Sequence, residues 1–464
     1  MIATARLRFS RMFDNAPERL LRSPVGALAT LPWLDPAVLF AMRRWYFPLS
    51  RLWASANAAG QDLPLFMREA GIANLTGNKR ILAQAILRRH DRLRRTAQVA
   101  EQAWRDALFD GSASPAEPPL EQHRRAAAHR WMSTRTSFYP LLYGARIAPV
   151  RWRIPALAEV EAVYGPALDN PALAYPCPDP MPSVQLSRPV LGAKARTRWM
   201  RFVSPSQRVA DICYARLVEP DIEQPLGTVI VGNGVCVESD MLDGMIDAAT
   251  SLVGLGMRVI EITAPWHGWR CPRGEYGGER FFASAPIGQI DLFSAQAQES
   301  AVLIDWAHRR FGGPVALAGI SLGSFVAQLV ASHGKHWPAG ARPDALMLVT
   351  HSGRMEEVVF ESGLVDSIGI PQALARAAWR ERDMLRWAPL MNPQGDPSMP
   401  AERIVSVLGS ADRVTPVRGG LDLVRRWGVP EENRFVQRQG HFGSALKLLR
   451  DDRPLKRLVA VMTG

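Results

Sequence analysis

One serine stands between two glycines in Gly319-Ile320-Ser321-Leu322-Gly323. A serine hydroxyl is a weak nucleophile until a base takes its proton, and a pentapeptide of this kind arises often by chance. The chain also supplies an acid, Asp412, in IVSVLGSADRVTPV, and a histidine, His441, in FVQRQGHFGSALKLL. Serine, then acid, then histidine is the chain order in which a nucleophile elbow finds its partners on a parallel α/β sheet. In such a triad His441 takes the proton of Ser321, and Ser321 attacks a carbonyl to form an acyl-enzyme. Asp412 fixes the histidine tautomer and stabilises the imidazolium.

The surroundings of each residue decide whether this chemistry is credible. Ser321 follows the apolar run PVALAGI and precedes LGSFVAQLVASHG, which reads as a helix. Strand, tight turn and helix form the setting a nucleophile elbow requires, and side chains at Gly319 and Gly323 would crowd it. Asp412 follows the strand-like IVSVLGS, and His441 follows the strand-like RFVQRQG. Sites in open α/β sheets form beyond the carboxyl ends of strands. Three segments in the right order, each beyond a strand, outweigh the simpler readings of a packing serine, a helix-capping Asp412 and a structural histidine. His308, His333 and His336 lie late in or beyond helical stretches. His351 follows ALMLVT and is a candidate for the pocket, but as base it would break the order.

Charge that develops on the carbonyl oxygen needs two N–H donors. Leu322 supplies one at the start of the helix. The second is expected from VIVGNGVCVESD, where Gly232, Asn233 and Gly234 let a ligand approach the backbone; Asn233 and Val235 are the candidate donors, with Gly234 lining the pocket. His267, in APWHGWRCPRG, either touches substrate or shapes its own loop.

The elements that must position these residues are read from periodicity. Two short strands, TRWMRFVSP and ADICYARLVEP, precede buried strands at 227–234, 257–265, 314–321, 345–350, 403–410 and 434–440. Helical stretches near 239–255, 291–310, 322–333, 417–427 and 443–450 alternate with them. This pattern predicts an α/β fold with a mostly parallel sheet and helices on both faces. Residues 1–185 read as a helical, basic region, with the boundary in the Pro-rich YPCPDPMPSVQLSRP; residues 186–464 read as the α/β domain. The clearest early helix, GNKRILAQAILRRHDRLRRTAQVAEQAWRDALF, places Ile81, Leu82, Ala85, Ile86, Leu93, Val99, Ala103 and Leu108 at roughly helical spacing. The Gly- and Pro-containing DGSASPAEPPLEQ ends it.

From about 195 to 460 the chain resembles the α/β-hydrolase superfamily, through the Gly319–Gly323 elbow, Asp412 and His441. More narrowly, APWHGWRCPRGEYGGERFFASAPIG, a helix, then VALAGISLGSFVAQLVA is similar to α/β-hydrolase domain-containing protein 18 and its bacterial relatives. That resemblance implies hydrolysis of acyl esters, with lipid as the expected substrate class. It implies a Pro-x-x-Gly-Arg-like loop ahead of the elbow; Arg270 and Arg273 here sit three and six residues after His267, a somewhat different spacing. Residues 351–400, between two strands, read as a helical, cap-like insertion, by resemblance to hydrolases in which an insertion at this point caps the pocket. In it Trp379, Trp387, Leu364 and Ile368 either make an apolar lid or pack onto the sheet.

The composition fits a globular protein, with 47% apolar and 22% charged residues. Of the formal net charge of +12, residues 1–150 account for nearly all, with 22 Lys and Arg against 11 Asp and Glu. Such a region is suited to an anionic membrane surface or to a solvated helical surface. Arg88, Arg89, Arg92, Arg94 and Arg95 are interleaved with Asp91, and no nucleic-acid reading motif accompanies them, so no nucleic acid is expected. No phosphate-loop signature and no metal-ligand spacing occurs; neither cofactor nor metal is expected. Four scattered cysteines and the lack of an apolar leader point to a reduced, cytoplasmic setting, with peripheral contact at the inner membrane face. VGALATLPWLDPAVLFAM, interrupted by Pro32, Asp35 and Pro36, falls short of a membrane span. Arg outnumbers Lys 51 to 5, which suits a GC-rich bacterial genome. The reading that emerges is a serine hydrolase acting on a carboxylic ester with a hydrophobic acyl group. The same triad would serve a thioesterase, an acyltransferase or a carbon–carbon bond hydrolase. A lipid- or partner-binding protein without catalysis is the reading from a different class.

Overall fold

Ten strands form one sheet in the computed structural model, which describes residues 23, 26, 30–110, 115–143, 147–236 and 248–464. The strands are β1 (Gln185–Leu186), β2 (Val190–Leu191), β3 (Ala195–Val203), β4 (Ile212–Pro220), β5 (Thr228–Gly232), β6 (Arg258–Ile262), β7 (Val315–Ile320), β8 (Ala345–Val349), β9 (Ile404–Gly409) and β10 (Arg434–Gln437). Their spatial order is β1-β3-β4-β6-β5-β7-β8-β9-β10, with β2 also on β3. Neighbours from β6 to β10 run parallel, and β1 to β4 join them antiparallel.

The central strands β5, β7, β8 and β9 are buried on both faces, which is why they read as nearly continuous apolar runs, whereas β10 lies at the edge with Val436 exposed. Alternation sorts the side chains of the parallel strands. Val229, Val231, Val259, Ala316, Ala318, Met347, Val349, Val405 and Val407 face one core, and Ile230, Ile260, Leu317, Leu346, Leu348 and Ile404 face the other.

The helices are α1 (Leu34–Ala41), α2 (Phe47–Ala59), α3 (Leu63–Ala70), α4 (Gly77–Leu108), α5 (Pro118–Met132), α6 (Leu157–Asp169), α7 (Ala248–Gly254), α8 (Glu279–Ala283), α9 (Ile287–Phe311), α10 (Leu322–His333), α11 (Met355–Glu361), α12 (Gly363–Ile368), α13 (Ile370–Arg376), α14 (Glu381–Leu385), α15 (Val417–Arg426), α16 (His441–Lys447) and α17 (Arg453–Thr463). Helices α7 and α17 cover the first face of the sheet, with Ala249, Leu252, Leu455, Leu458 and Met462 buried there. Helices α9 and α10 cover the other. Part of the helix expected near 239–255 lies outside the described residues. None of the described helices is long and apolar enough to cross a membrane.

The N-terminal helices share this second core. It runs without a break from Phe47 and Leu52 on α2 through Phe282, Phe293 and Phe325 to Trp427. An ion pair is sealed inside the junction: Arg51 Nη1 of α2 lies 2.6 Å from Glu279 Oε1 of α8, both side chains almost wholly buried. Part of the basic charge read as surface therefore holds α2 against the α/β part.

Helix α4 forms where the periodicity predicted it, but its buried stripe differs. Ala83, Ile86, Leu87, His90, Asp91, Ala97, Ala100, Trp104 and Leu108 face inward. Ile81 and Val99 are 73% and 70% exposed. Ile86 and Leu108 of the predicted stripe are buried, and the rest of the face is made by Leu87, by small alanines and by Trp104, whose ring meets Trp199 at 4.9 Å between centroids.

Candidate active site

The elbow begins at the carboxyl end of β7. Gly232 of β5 stands level with Gly319 of β7, so the loops after both strands emerge side by side. Ser321 takes φ 55° and ψ −113°, a conformation that costs a residue with a side chain about 1–3 kcal/mol. The backbone is wedged there. A Cβ at Gly319 would lie 2.3 Å from the carbonyl oxygen of Gly323, and one at Gly323 would lie 2.1 Å from the carbonyl oxygen of Gly232. Ser324 locks the turn from below, its hydroxyl donating to Gly319 O at 2.7 Å and accepting from Val349 N at 3.1 Å. The Ser321 N–H donates to Val349 O at 2.9 Å.

The three residues singled out by their order in the sequence meet here. His441 Nε2 lies 3.0 Å from Ser321 Oγ, and His441 Nδ1 lies 2.8 Å from Asp412 Oδ2. Asp412 sits in the turn after β9 and is held at both oxygens. Oδ1 accepts from Val414 N and Thr415 N, each at 2.8 Å, and Oδ2 accepts from Thr415 Oγ at 2.8 Å. Burial alone would raise the Asp412 pKa, but the facing His441 and these donors outweigh it and hold the carboxyl below its ordinary value. Burial likewise opposes a charged His441, yet Asp412 and the charge of Asp35 raise its pKa above the ordinary imidazole value. With Nδ1–H donated to the carboxylate, Nε2 is left with its lone pair toward the serine hydroxyl, the arrangement for general-base proton transfer.

Leu322 is the first residue of α10, where an N–H has no acceptor within the helix. Asn233 gives its carbonyl to the Gly323 N–H at 3.1 Å, which binds the loop after β5 to the elbow. Gly234 and Val235 follow in that loop, and the residues after Cys236 up to 247 lie outside those described. His267 stands beneath it. The ring donates from Nδ1 to Pro265 O at 2.9 Å and accepts at Nε2 from Cys236 N at 3.1 Å. Both nitrogens are spent on main-chain groups, and burial keeps the ring neutral with a pKa of about 4. Of the two expectations for His267, the geometry is that of loop support. Gly278 makes room for it, since a Cβ there would come 2.8 Å from His267 Nε2.

His351 is fully buried rather than open to a pocket. Its Nε2 meets Ser406 Oγ of β9 at 2.8 Å, and burial lowers its pKa to about 3. Arg270 is a structural anchor too. It pairs with Glu299 of α9 at 2.6 Å and with Asp211 at 2.8 Å, pinning the loop after β6 to α9. In the insertion, Leu364, Ile368, Trp379 and Trp387 are buried and belong to the main core; Trp379 Nε1 donates to Pro155 O at 2.8 Å.

Two neighbours of the site were not singled out in the sequence. Thr415 bridges acid and base, its hydroxyl 3.1 Å from His441 Nδ1. Asp35, from α1, accepts from His441 N at 2.5 Å. Thr415 had a local signal, a hydroxyl three residues after the acid. Asp35 is 406 residues from its partner and read only as an interruption of an apolar stretch.

Comparison with known proteins adds the following. The family model described as alpha/beta hydrolase domain containing 18 matches residues 248–365, from α7 through the elbow to α12. No curated protein matches the chain. Solved structures that resemble it include an acetyl xylan esterase from Paenibacillus sp. R4, at 12% identity and a TM-score of 0.44, covering 67% of this chain and 96% of that one. Acetyl xylan esterase 1 from Thermoanaerobacterium sp. JW/SL YS485 has 13% identity, a TM-score of 0.42 and coverage of 67% and 96%. A cold-adapted esterase from an Arctic intertidal metagenomic library has 15% identity, a TM-score of 0.40 and coverage of 59% and 97%. Likeness this remote carries nothing about substrate. The strand order and the elbow after β7 are those of an α/β-hydrolase fold, and within it residues 248–365 resemble α/β-hydrolase domain-containing protein 18.

Proposed function

We propose that the protein is a serine hydrolase that cleaves a carboxylic ester. The observation that carries this reading is the continuous relay from Ser321 Oγ through His441 to Asp412, at 3.0 and 2.8 Å, on a strained elbow. His441 Nε2 takes the hydroxyl proton as Ser321 Oγ bonds to the carbonyl carbon. The tetrahedral oxyanion is met by the Leu322 N–H and a donor from the loop that holds Asn233 and Val235. The intermediate collapses, the ester C–O bond breaks, and His441 gives its proton to the leaving alcohol. Water, deprotonated by His441, then attacks the acyl-serine, and the acid departs with Ser321 reprotonated.

A hydrophobic acyl group and contact with an anionic membrane belong to the same proposal. Trp33 and Phe40 are 56% and 61% exposed and Trp45 is 38% exposed, on the segment that carries Arg43 and Arg44. Aromatic rings beside arginines suit a lipid–water interface. Hydrolysis of p-nitrophenyl esters from acetate to palmitate, wild type beside Ser321→Ala, tests the reading. Turnover lost in the variant supports it, with the chain-length optimum reporting the acyl preference. Turnover unchanged in the variant removes Ser321 from the reaction.

A further inference from the structure

Helix α1 carries a single acid, and that acid is turned inward. Asp35 is 1% exposed. Its Oδ2 accepts the His441 N–H at 2.5 Å and its Oδ1 accepts the Phe442 N–H at 3.1 Å. These are the first two residues of α16, so one carboxylate caps the helix whose first residue is the base. Gly440 is cut to fit it: a Cβ there would lie 2.2 Å from Asp35 Oδ2. The same stretch of chain reaches two other parts of the site. Tyr46 donates from its hydroxyl to Cys236 O at 3.3 Å, in the loop after β5. Leu39 packs under α12, where a Cβ on Gly363 would lie 3.0 Å from Leu39 Cδ1; Gly363 in turn donates to Arg413 O at 2.8 Å, beside Asp412.

We propose that Asp35 is a positioning residue for His441, supplied to the active site by the N-terminal helical region. The inference rests on the reading of Ser321 and His441 given above. Asp35 fixes the main chain of the base, so the ring reaches Ser321 and Asp412 together. It also adds a second negative charge beside the imidazolium that forms when Ser321 loses its proton. The charged groups acting on His441 are Asp412, from the turn after β9, and Asp35, from α1; Ser321 and Thr415 are its uncharged polar neighbours. Burial holds the pKa of Asp35 above its ordinary value, Asp412 adds to this, and the His441 and Phe442 N–H groups and a charged His441 offset it only in part.

The test uses full-length Asp35→Asn and Asp35→Ala with a short p-nitrophenyl ester. The Asn variant keeps the shape and one acceptor while removing the charge. The inference predicts kcat lowered about 10-fold or more, with KM within about twofold, because no substrate contact is lost. It also predicts that the acid limb of kcat/KM moves to lower pH by about half a unit or more, since one raising charge is gone. An independent readout follows the His441 ring by NMR in histidine-labelled protein, assigned by its loss in His441→Gln; its midpoint falls in Asp35→Asn. Unchanged kcat and an unmoved limb in both variants overturn the proposal. So does a lower melting temperature with the His441 midpoint unmoved, which is the mark of a merely structural role. Should wild type show no Ser321-dependent turnover, the esterase reading fails, and the His441 midpoint still decides the role of Asp35.

Discussion

Replacing Gly323 by alanine adds one methyl group where two backbones touch. The new Cβ would lie 2.1 Å from Gly232 O and 2.4 Å from Gly232 C. Neither is a side chain that can swing away. The elbow and the end of β5 must part by about 0.9 Å to reach 3.0 Å, the shortest separation real Cβ atoms show. That movement separates Leu322 from the loop holding Asn233 and Val235, and it shifts Ser321 against His441. A misplacement of about 1 Å costs on the order of 100-fold in rate, and overpacking of this kind costs about 1–3 kcal/mol of stability. Gly323→Ala is therefore expected to lose about 100-fold in kcat on a p-nitrophenyl ester, with a lower urea midpoint. Gly77→Ala is the control, because a Cβ there meets nothing within 4 Å. Near wild-type kcat in folded Gly323→Ala would refute the claim that backbone contact between elbow and β5 sets the site.

Three further outcomes follow from the geometry. Because the His441 pKa is raised, the acid limb of kcat/KM is expected above pH 6.5, and Asp412→Asn should lower kcat by about 10⁴-fold; a limb below 6.5 in wild type contradicts the pairing. Arg270→Met strands Glu299, whose side chain is fully buried, and should cost about 3–5 kcal/mol by urea unfolding; a change under about 1 kcal/mol contradicts it. His90, His267, His333 and His351 are buried with pKa values lowered to about 4, 4, 4 and 3. Unfolded histidines bind protons below about pH 6.5, so these groups favour folding above that pH and lose that contribution as pH falls toward 4. His441, being raised, acts in the opposite sense. The urea midpoint should drop steeply from pH 6.5 to 4, by up to about 1.4 kcal/mol per pH unit for each buried histidine; a flat profile contradicts their burial as neutral rings.

The parts of the fold that were legible in the sequence are those with local causes. Buried parallel strands announce themselves as apolar runs, and the turns that carry Ser321 and Asp412 each follow one, while His441 follows the short edge strand β10. Chain order then sufficed to bring three distant residues together, because parallel strands deliver their loops to one edge. Contacts made between remote elements left no such mark. Asp35 pairs with main-chain N–H groups, which any residue but proline would offer at 441 and 442, so nothing in the local sequence there points to it. The one trace was Gly440, whose missing side chain admits the carboxylate. Arg51 and Glu279 each look like surface charges and become one buried pair only when α2 meets α8. His267 was left open between pocket and loop because its two partners, Pro265 O and Cys236 N, are main-chain atoms as well.

The most direct test is covalent. Full-length protein treated with a fluorophosphonate and mapped by peptide mass spectrometry should carry a single phosphonyl group, on Ser321. Labelling should vanish in His441→Ala and after urea denaturation, since the hydroxyl reacts only with its base in place. Absence of label from native protein, or label on another residue, would contradict the account of Ser321 as an activated nucleophile.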